Sequence, residues 1–448
     1  MILTNLVILL NSVYGTCDLT SRAKLTAEVN DWMNRPGLND CGSDIGSWNI
    51  SQLTTLKEVF YNMGGFNGDI SRWDVSKITN LQGTFQQARS FNRNVSSWDT
   101  SNVVTMERTF DNAAEFAGWG LENWNVNKVT SMRSMFRKVN AQEFNTDLSS
   151  WNTSSVTDFV NCFREDHSFN ADISNWNTAS VTSFKGMYYQ ALNFNRDLSK
   201  WDTSKVINTV DTFNGASAFN GNISTWSTSS VTLMNNMFKD AQAFNGNVGQ
   251  WDTSKVGGLW ETFVHAAAFQ GNGLESWNTS SVETAHSAFV GATSLNADLS
   301  SWDVRFVFEF FLHSKITHTH PFYKSQVRQF MAENMFSDNG ALSDCNKRRI
   351  WDSWSTQFEV SVTNTSFWDS YSNWSSHLCF DCGAAAPDGP GGSYMRYPND
   401  ITPPIKRNSG CGGSVVGSFE NASYWDTSHL DYGCTWCWCS SFRHWCSS

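Results

Sequence analysis

Two close cysteine pairs, Cys379-x-x-Cys382 and Cys434-x-x-Cys437, have the inner spacing of a zinc ribbon, in which four thiolates close a tetrahedron around the metal. Fifty-one residues separate the pairs, and Cys411, Cys439 and Cys446 crowd them, which suits disulfides better than a metal. A redox pair at Cys379 and Cys382 would need a strand and then a helix, whereas Gly383 to Gly392 is rich in glycine, alanine and proline. His318-Thr319-His320 is the other spacing that could ligate a metal, but two histidines alone define no coordination shell. Cys162 stands alone and reads as a buried thiol rather than a nucleophile. No Gly-x-Ser-x-Gly elbow, phosphate loop, His-Glu-x-x-His or calcium-loop motif occurs, so no enzyme activity, resident metal or cofactor is expected.

A different kind of chemistry is offered by a ladder. The residue after successive tryptophans is short and polar: Asp74, Asp99, Asn125, Asn152, Asn177, Asp202, Ser227, Asp252, Asn278 and Asp303. In an extended segment such a residue faces away from its tryptophan, so stacked copies would line an exposed surface. Stacked carboxylates and carboxamides could take Ca²⁺ or sugar hydroxyls. Equally, they could bond Ser and Thr of neighbouring coils and simply hold the array together.

The elements that position this ladder follow from the tryptophans. Trp48, Trp73, Trp98, Trp124, Trp151, Trp176, Trp201, Trp226, Trp251, Trp277 and Trp302 are spaced by 25, 25, 26, 27, 25, 25, 25, 25, 26 and 25 residues. That period is one coil of a leucine-rich-repeat solenoid, shorter than a helical-hairpin repeat of about 34 residues. Within a unit, Leu148, Trp151 and Thr153 have the spacing of a short strand that stacks in parallel on its copies. Val103, Met106, Phe110 and Ala113 then fall at i, i+3, i+7 and i+10, which predicts a short helix with Ser101 as its N-cap. The expected fold is a repeat solenoid, leucine-rich-repeat-like, with a short parallel strand plus a short helix per coil. Most units close on Phe-Asn, from Phe66-Asn67 and Phe91-Asn92 to Phe244-Asn245, relaxing to Phe269-Gln270 and Leu295-Asn296, and these carboxamides can bond the backbone of the next coil.

The units resemble those of the BspA-like leucine-rich-repeat surface proteins, as in Phe169-Asn170-Ala171-Asp172-Ile173-Ser174-Asn175-Trp176-Asn177-Thr178. The resemblance covers residues from about 45 to 304 and implies a secreted or cell-surface protein of the interaction type, with adhesion as its role and no catalytic residue to carry over. Ser227 after Trp226, and Gly257-Gly258-Leu259-Trp260 in place of Val-Thr-x-Met, depart from the pattern.

Around the array, residues 1–15 read as a secretory signal peptide, 16–47 as an N-terminal cap flanked by Cys17 and Cys41, and 48–342 as the solenoid. Residues 343–356, which include Cys345, read as a C-terminal capping helix, and 357–448 as a disulfide-stapled, Trp-rich tail. Residues 305–324 interrupt the last unit, and their removal restores Trp-Asp-Val-Ser-Gln-Val. Sequons begin at Asn49, Asn94, Asn152, Asn222, Asn278, Asn364, Asn373 and Asn421, five of them produced by the repeat itself. A net charge of −11 disfavours nucleic acid and anionic membranes, and no stretch is apolar enough for a transmembrane helix. The sequence therefore points to a secreted scaffold that binds a protein or glycan partner. The alternative is a structural matrix or wall component cross-linked through its cysteine-rich tail.

Overall fold

The computed structural model describes residues 17, 19–35, 40–303, 335–336, 340–357, 394–395 and 405–406. Successive units lie against one another in parallel. Single bridges link Thr55 to Asn80, Asn80 to Thr105, Thr105 to Ser131 and Ser131 to Asp158, and the series resumes from Ser183 to Asn208 and on to Thr284. These contacts fall seven residues after each of the first three tryptophans, beyond the Leu-x-x-Trp-x-Thr segment where the sequence places its strand. Among the described residues the named strands are Tyr394–Met395 (β1) and Ile405–Lys406 (β2), an antiparallel pair.

No helix forms where Val103, Met106, Phe110 and Ala113 predict one. The segment is a run of overlapping turns, and its amides divide their donations between two coils. In the first unit the N–H groups of Leu56, Glu58, Phe60 and Asn62 donate to Asn80, Gln82, Thr84 and Gln86 of the next coil. The N–H groups of Val59, Tyr61 and Met63 donate instead to the carbonyls three residues earlier. A helix would spend these amides within its own segment and leave the coils joined by side chains alone. The turns require two left-handed residues per unit, four apart: Glu58 and Asn62, at φ 57° and 60°, and their counterparts through Ser287 and Gly291. Glycine or asparagine fills several of these places, as type II turns favour. The apolar spacing of 3, 4 and 3 still puts all four predicted residues in the core, each at most 1% exposed.

That core is a set of aromatic columns. Phe60, Phe85, Phe110 and Phe136 stack on successive coils with ring centroids 5.2 to 5.9 Å apart. A second column, Phe66, Phe91 and Phe116, lies against the first, with Phe85 and Phe91 only 3.9 Å apart. The tryptophans form a third, including Trp98 with Trp124 at 6.1 Å and Trp277 with Trp302 at 6.0 Å. Each ring is amphipathic: the indole N–H of Trp73 donates to Ile45 O of the preceding coil at 2.8 Å, and the same bond recurs up to Trp302 with Leu274 O. Buried threonines reach the other way, as in Thr153 Oγ1 to Asn177 O at 3.0 Å. On the outer edge the carboxamide of Asn67 accepts the amide of Asn92, and Asn170 that of Asn195. Every coil is thereby tied to both neighbours by backbone and side chain.

Two helices meet the ends of the stack. Helix α1, Arg22–Asn34, is N-capped by Ser21 and buries Leu25 and Val29, while Trp32 packs edge-on against Phe66 at 6.1 Å. A Cys17–Cys41 disulfide, Cα–Cα 4.7 Å, joins the segments on either side of α1. At the other end Phe336 stacks on Phe289 at 5.9 Å, and the amide of Phe289 donates to Met335 O, so these two residues continue the column beyond Trp302. Phe336 follows Trp302 by 34 residues where Phe289 follows Trp277 by 12, so the interruption adds 22 residues by structural register rather than the 20 read from sequence. Helix α2, Asp344–Gln357, begins at Ser343, whose Oγ accepts the amide of Asn346 at 3.3 Å. Residues 305–324, with His318 and His320, lie outside the described residues, as do residues 1–15.

Candidate functional site

The outward column beginning at Asp74 is exposed, and its side chains turn back on their own backbone. Asp74, Asp99, Asp202 and Asp252 each accept the amide two residues on at 3.0 Å, from Ser76, Ser101, Ser204 and Ser254. Asn125, Asn152, Asn177 and Asn278 make the same turn at 3.0 to 3.1 Å. Short acids and amides favour this geometry because the side-chain oxygen mimics a backbone carbonyl. The serine hydroxyl and amide together hold Asp74, Asp99, Asp202 and Asp252 below the usual carboxylate range. The backbone carbonyls of these positions are engaged as well, by the threonine of the preceding coil: Thr178 Oγ1 reaches Asp202 O and Thr279 Oγ1 reaches Asp303 O.

A second column of the same kind escaped the sequence reading. Four residues before their tryptophans, Asp69, Asn94, Asp147, Asp172, Asp197, Asn222 and Asn247 repeat the turn, with Asp147 accepting Ser149 N and Asp172 accepting Ser174 N at 2.9 Å. The signal was present as a second Asx-x-Ser spacing inside the repeat. This column borders an open groove whose walls include Asp147, Ser149, Asp172 and Arg196. Serine hydrogen bonds also hold Asp147 and Asp172 below the usual range, and Arg196 adds to the effect on Asp172.

Three buried groups break the apolar pattern elsewhere. Asp166 occupies the column filled by Ala113, Ala191 and Ala216, and it is fully buried. Its burial pushes its pKa well above the usual carboxylate value, and the amides of Phe169 and Ser168 offset only part of that. Burial likewise raises Cys162 and Tyr188, and Cys162 adds to the effect on Tyr188. A thiol so shielded is protonated at neutral pH and is no nucleophile. The series of bridges is interrupted beside it, between Asp158 and Ser183.

Of the sequence-predicted cysteines, Cys17 and Cys41 are joined and Cys345 is buried at the start of α2. Cys379, Cys382, Cys411, Cys434, Cys437, Cys439 and Cys446 lie outside the described residues. Among the described residues no three His, Cys, Asp or Glu side chains are grouped to hold a metal, and no helix is long and apolar enough to cross a membrane.

The repeat matches a family model described as "Mycoplasma protein of unknown function, DUF285", in four overlapping segments: residues 33–140, 118–226, 211–319 and 247–349. Together they span most of the 448-residue chain. The chain belongs to the DUF285 family. No curated protein and no solved structure matches it. The DUF285 match establishes a tandem-repeat protein; the BspA-like leucine-rich-repeat likeness is a finer statement than that match makes. Each DUF285 segment spans about four coils, so the matched unit is a block of the stack.

Proposed function

We propose that this DUF285 protein is a secreted or cell-surface scaffold, a solenoid of the leucine-rich-repeat type, that recognises a protein or glycan partner and catalyses nothing. One observation carries the reading. Ladders of indole, threonine and carboxamide groups hold the backbone from coil to coil, while residues outside those ladders change freely between coils. Trp119, Ile207 and Trp260 are 52%, 51% and 46% exposed at outward sites. A fixed frame with variable outward residues is how repeat proteins diversify ligands without changing fold.

The test is fold-dependent binding. Purified full-length chain should retain a defined extracellular protein or an immobilised oligosaccharide. Trp201→Ala, which damages the core but leaves the exposed residues in place, should lose it. Equal retention by the damaged chain, or none by the intact chain, would overturn the proposal. The cross-linked matrix alternative rests on the tail cysteines, and a reduction-sensitive ladder of oligomers on gels would favour it.

A further inference from the structure

We propose that the outward face of the coils begun by Trp201, Trp226 and Trp251 pairs with the same face of a second copy of this chain, each Trp260 seating over Gly257 of the other. This goes beyond the scaffold reading and does not depend on it.

Backbone hydrogen bonds fix which residues share a column. The amide of Ile207 donates to Thr182 O, that of Thr232 to Ile207 O, that of Gly257 to Thr232 O and that of Glu283 to Gly257 O, at 2.8 to 3.0 Å. In this column, six residues after the tryptophan, most coils carry threonine. Seven residues after it, every coil from Thr55 to Asn208 has a side-chain oxygen that accepts the amide two residues on. The next two coils give that oxygen up, with Leu233 and Gly258 in its place. Nine residues after the tryptophan stand Val210, Asn235 and Trp260. Ile207, Leu233 and Trp260 thus lie on consecutive coils, and all three remain 39 to 51% exposed. Contiguous apolar side chains kept in water mark a contact surface, whereas Val104, between Thr79 and Thr130 in its column, is an isolated one.

The two glycines sharpen the reading. Neither lies in the left-handed region, so the backbone at both places accepts other residues. Gly258 has a local reason: a β-carbon there would come within 2.5 Å of Asn235 Oδ1, which takes over as acceptor of the Trp260 amide at 3.0 Å. Gly257 has none, since a β-carbon there would meet nothing nearer than 3.8 Å. The fold has room for threonine at this place, and the missing side chain leaves an open slot three residues from the exposed indole.

Slot and indole complement each other about a two-fold axis. An axis parallel to the stack, passing between the sixth and ninth positions, brings the sixth residue of each coil over the ninth residue of the same coil in the second copy. Trp260 then covers Gly257, Ile207 meets Val210, Thr232 meets Asn235, and Leu233 approaches its own counterpart. At the edges, four and ten residues after the tryptophan, stand Lys205 and Asp211 on one coil and Lys255 and Glu261 on another. The same operation sets each lysine beside the acid of the other copy, and no residue at the sixth, seventh or ninth position of these three coils is charged. A tryptophan filling a pocket is the usual anchor of a protein contact. A sugar could stack on the indole, but it would have no use for the paired edges.

The experiment is sedimentation velocity on the full chain, with free thiols blocked, from roughly 1 µM to 1 mM, the range in which interfaces below about 1,000 Å² dissociate. Trp260→Gln and Gly257→Thr accompany it, since glutamine and threonine already occupy these columns at positions 82 and 232. A reversible dimer that grows no further, weakened tenfold or more by each variant at unchanged melting temperature, is the expected result. A mixture of the two variants keeps one indole and one open slot per pair, so it should associate more strongly than either variant alone. A chain that stays monomeric, a dimer that both variants leave intact, or growth past two copies overturns the proposal. A monomeric chain whose binding of a sugar or of another protein is lost in Trp260→Gln also overturns it, and shows what occupies the face instead. None of these results decides the scaffold reading, which has its own binding test.

Discussion

The indole N–H of Trp354 in α2 donates to the carbonyl of Leu299 at 3.1 Å, the bond that repeat tryptophans make to the coil before them. Its ring also meets Phe336 at 6.1 Å. The helix therefore closes the stack with a coil's own chemistry, 52 residues after Trp302. Trp354→Phe, which keeps an aromatic ring but loses the donor, should cost about 1 kcal/mol, and Trp354→Ala about 3–5 kcal/mol. Chemical denaturation measures both; no loss in Trp354→Phe would show that the hydrogen bond contributes nothing, and equal losses would show that the ring adds nothing to it.

Within the array, Trp201→Ala removes a ring 3% exposed and stacked on Trp226 at 6.4 Å, and should cost roughly 3–5 kcal/mol. Trp119→Ala, at 52% exposure, should change the denaturation midpoint little. The contrast separates core from surface tryptophans within one experiment.

Asp166 sets a pH dependence. Its folded pKa is raised above the unfolded value, so its contribution is fully present below the unfolded carboxylate pKa and is lost as pH rises through the folded pKa. Asp166→Ala, the residue of neighbouring coils, should remove that loss and stabilise the chain at neutral pH by about 1–3 kcal/mol. Melting temperature from about pH 4 to 8, where free carboxylates have ionised, should show a shallower decline in the variant. Parallel curves would rule out Asp166 as the source.

The exposed carboxylates run the opposite way. Asp74, Asp99, Asp202 and Asp252 have lowered pKa values, so their contribution is present above the unfolded carboxylate pKa and is lost as pH falls through the folded values. Carboxyl chemical shifts followed by NMR should titrate below those of a free aspartate. Replacing Ser204 by Ala should move Asp202 back upward, because its hydroxyl is the largest cause of the shift.

The interrupted unit offers a length test. Deleting 22 residues between Asp303 and Met335 restores the Trp-to-Phe spacing of 12 seen at Trp277 and Phe289, whereas deleting 305–324 leaves Phe336 two residues late. The longer deletion should melt at the higher temperature. A more stable shorter deletion would mean that the sequence register, Trp-Asp-Val-Ser-Gln-Val, governs the join.

The period, the buried tryptophans and the inward threonines were legible because side-chain type repeats with them. The helix was misread because Val103, Met106, Phe110 and Ala113 have spacings that overlapping turns share with a helical stripe. What distinguishes the two is the residue tolerating positive φ, and Gly83, Gly186, Gly215 and Gly291, with Asn62, Asn112 and Asn161, held that signal in plain view. The groove was not legible from any single unit, because Asp147, Asp172 and Arg196 come from three different coils and meet only when the coils stack.

The divided amides have a consequence for assembly. A coil that gives half of its turn-segment N–H groups to its successor presents, when it is last, a row of donors already in register for another coil. The stack behaves as a one-dimensional crystal with growth faces, and α1 and α2 are its terminators. Proteolytic loss of residues 335–357 would expose such a face, and only molecules that had also lost α1 would offer the complementary acceptor face and add end to end into filaments. The terminators, more than the repeats, keep the array finite.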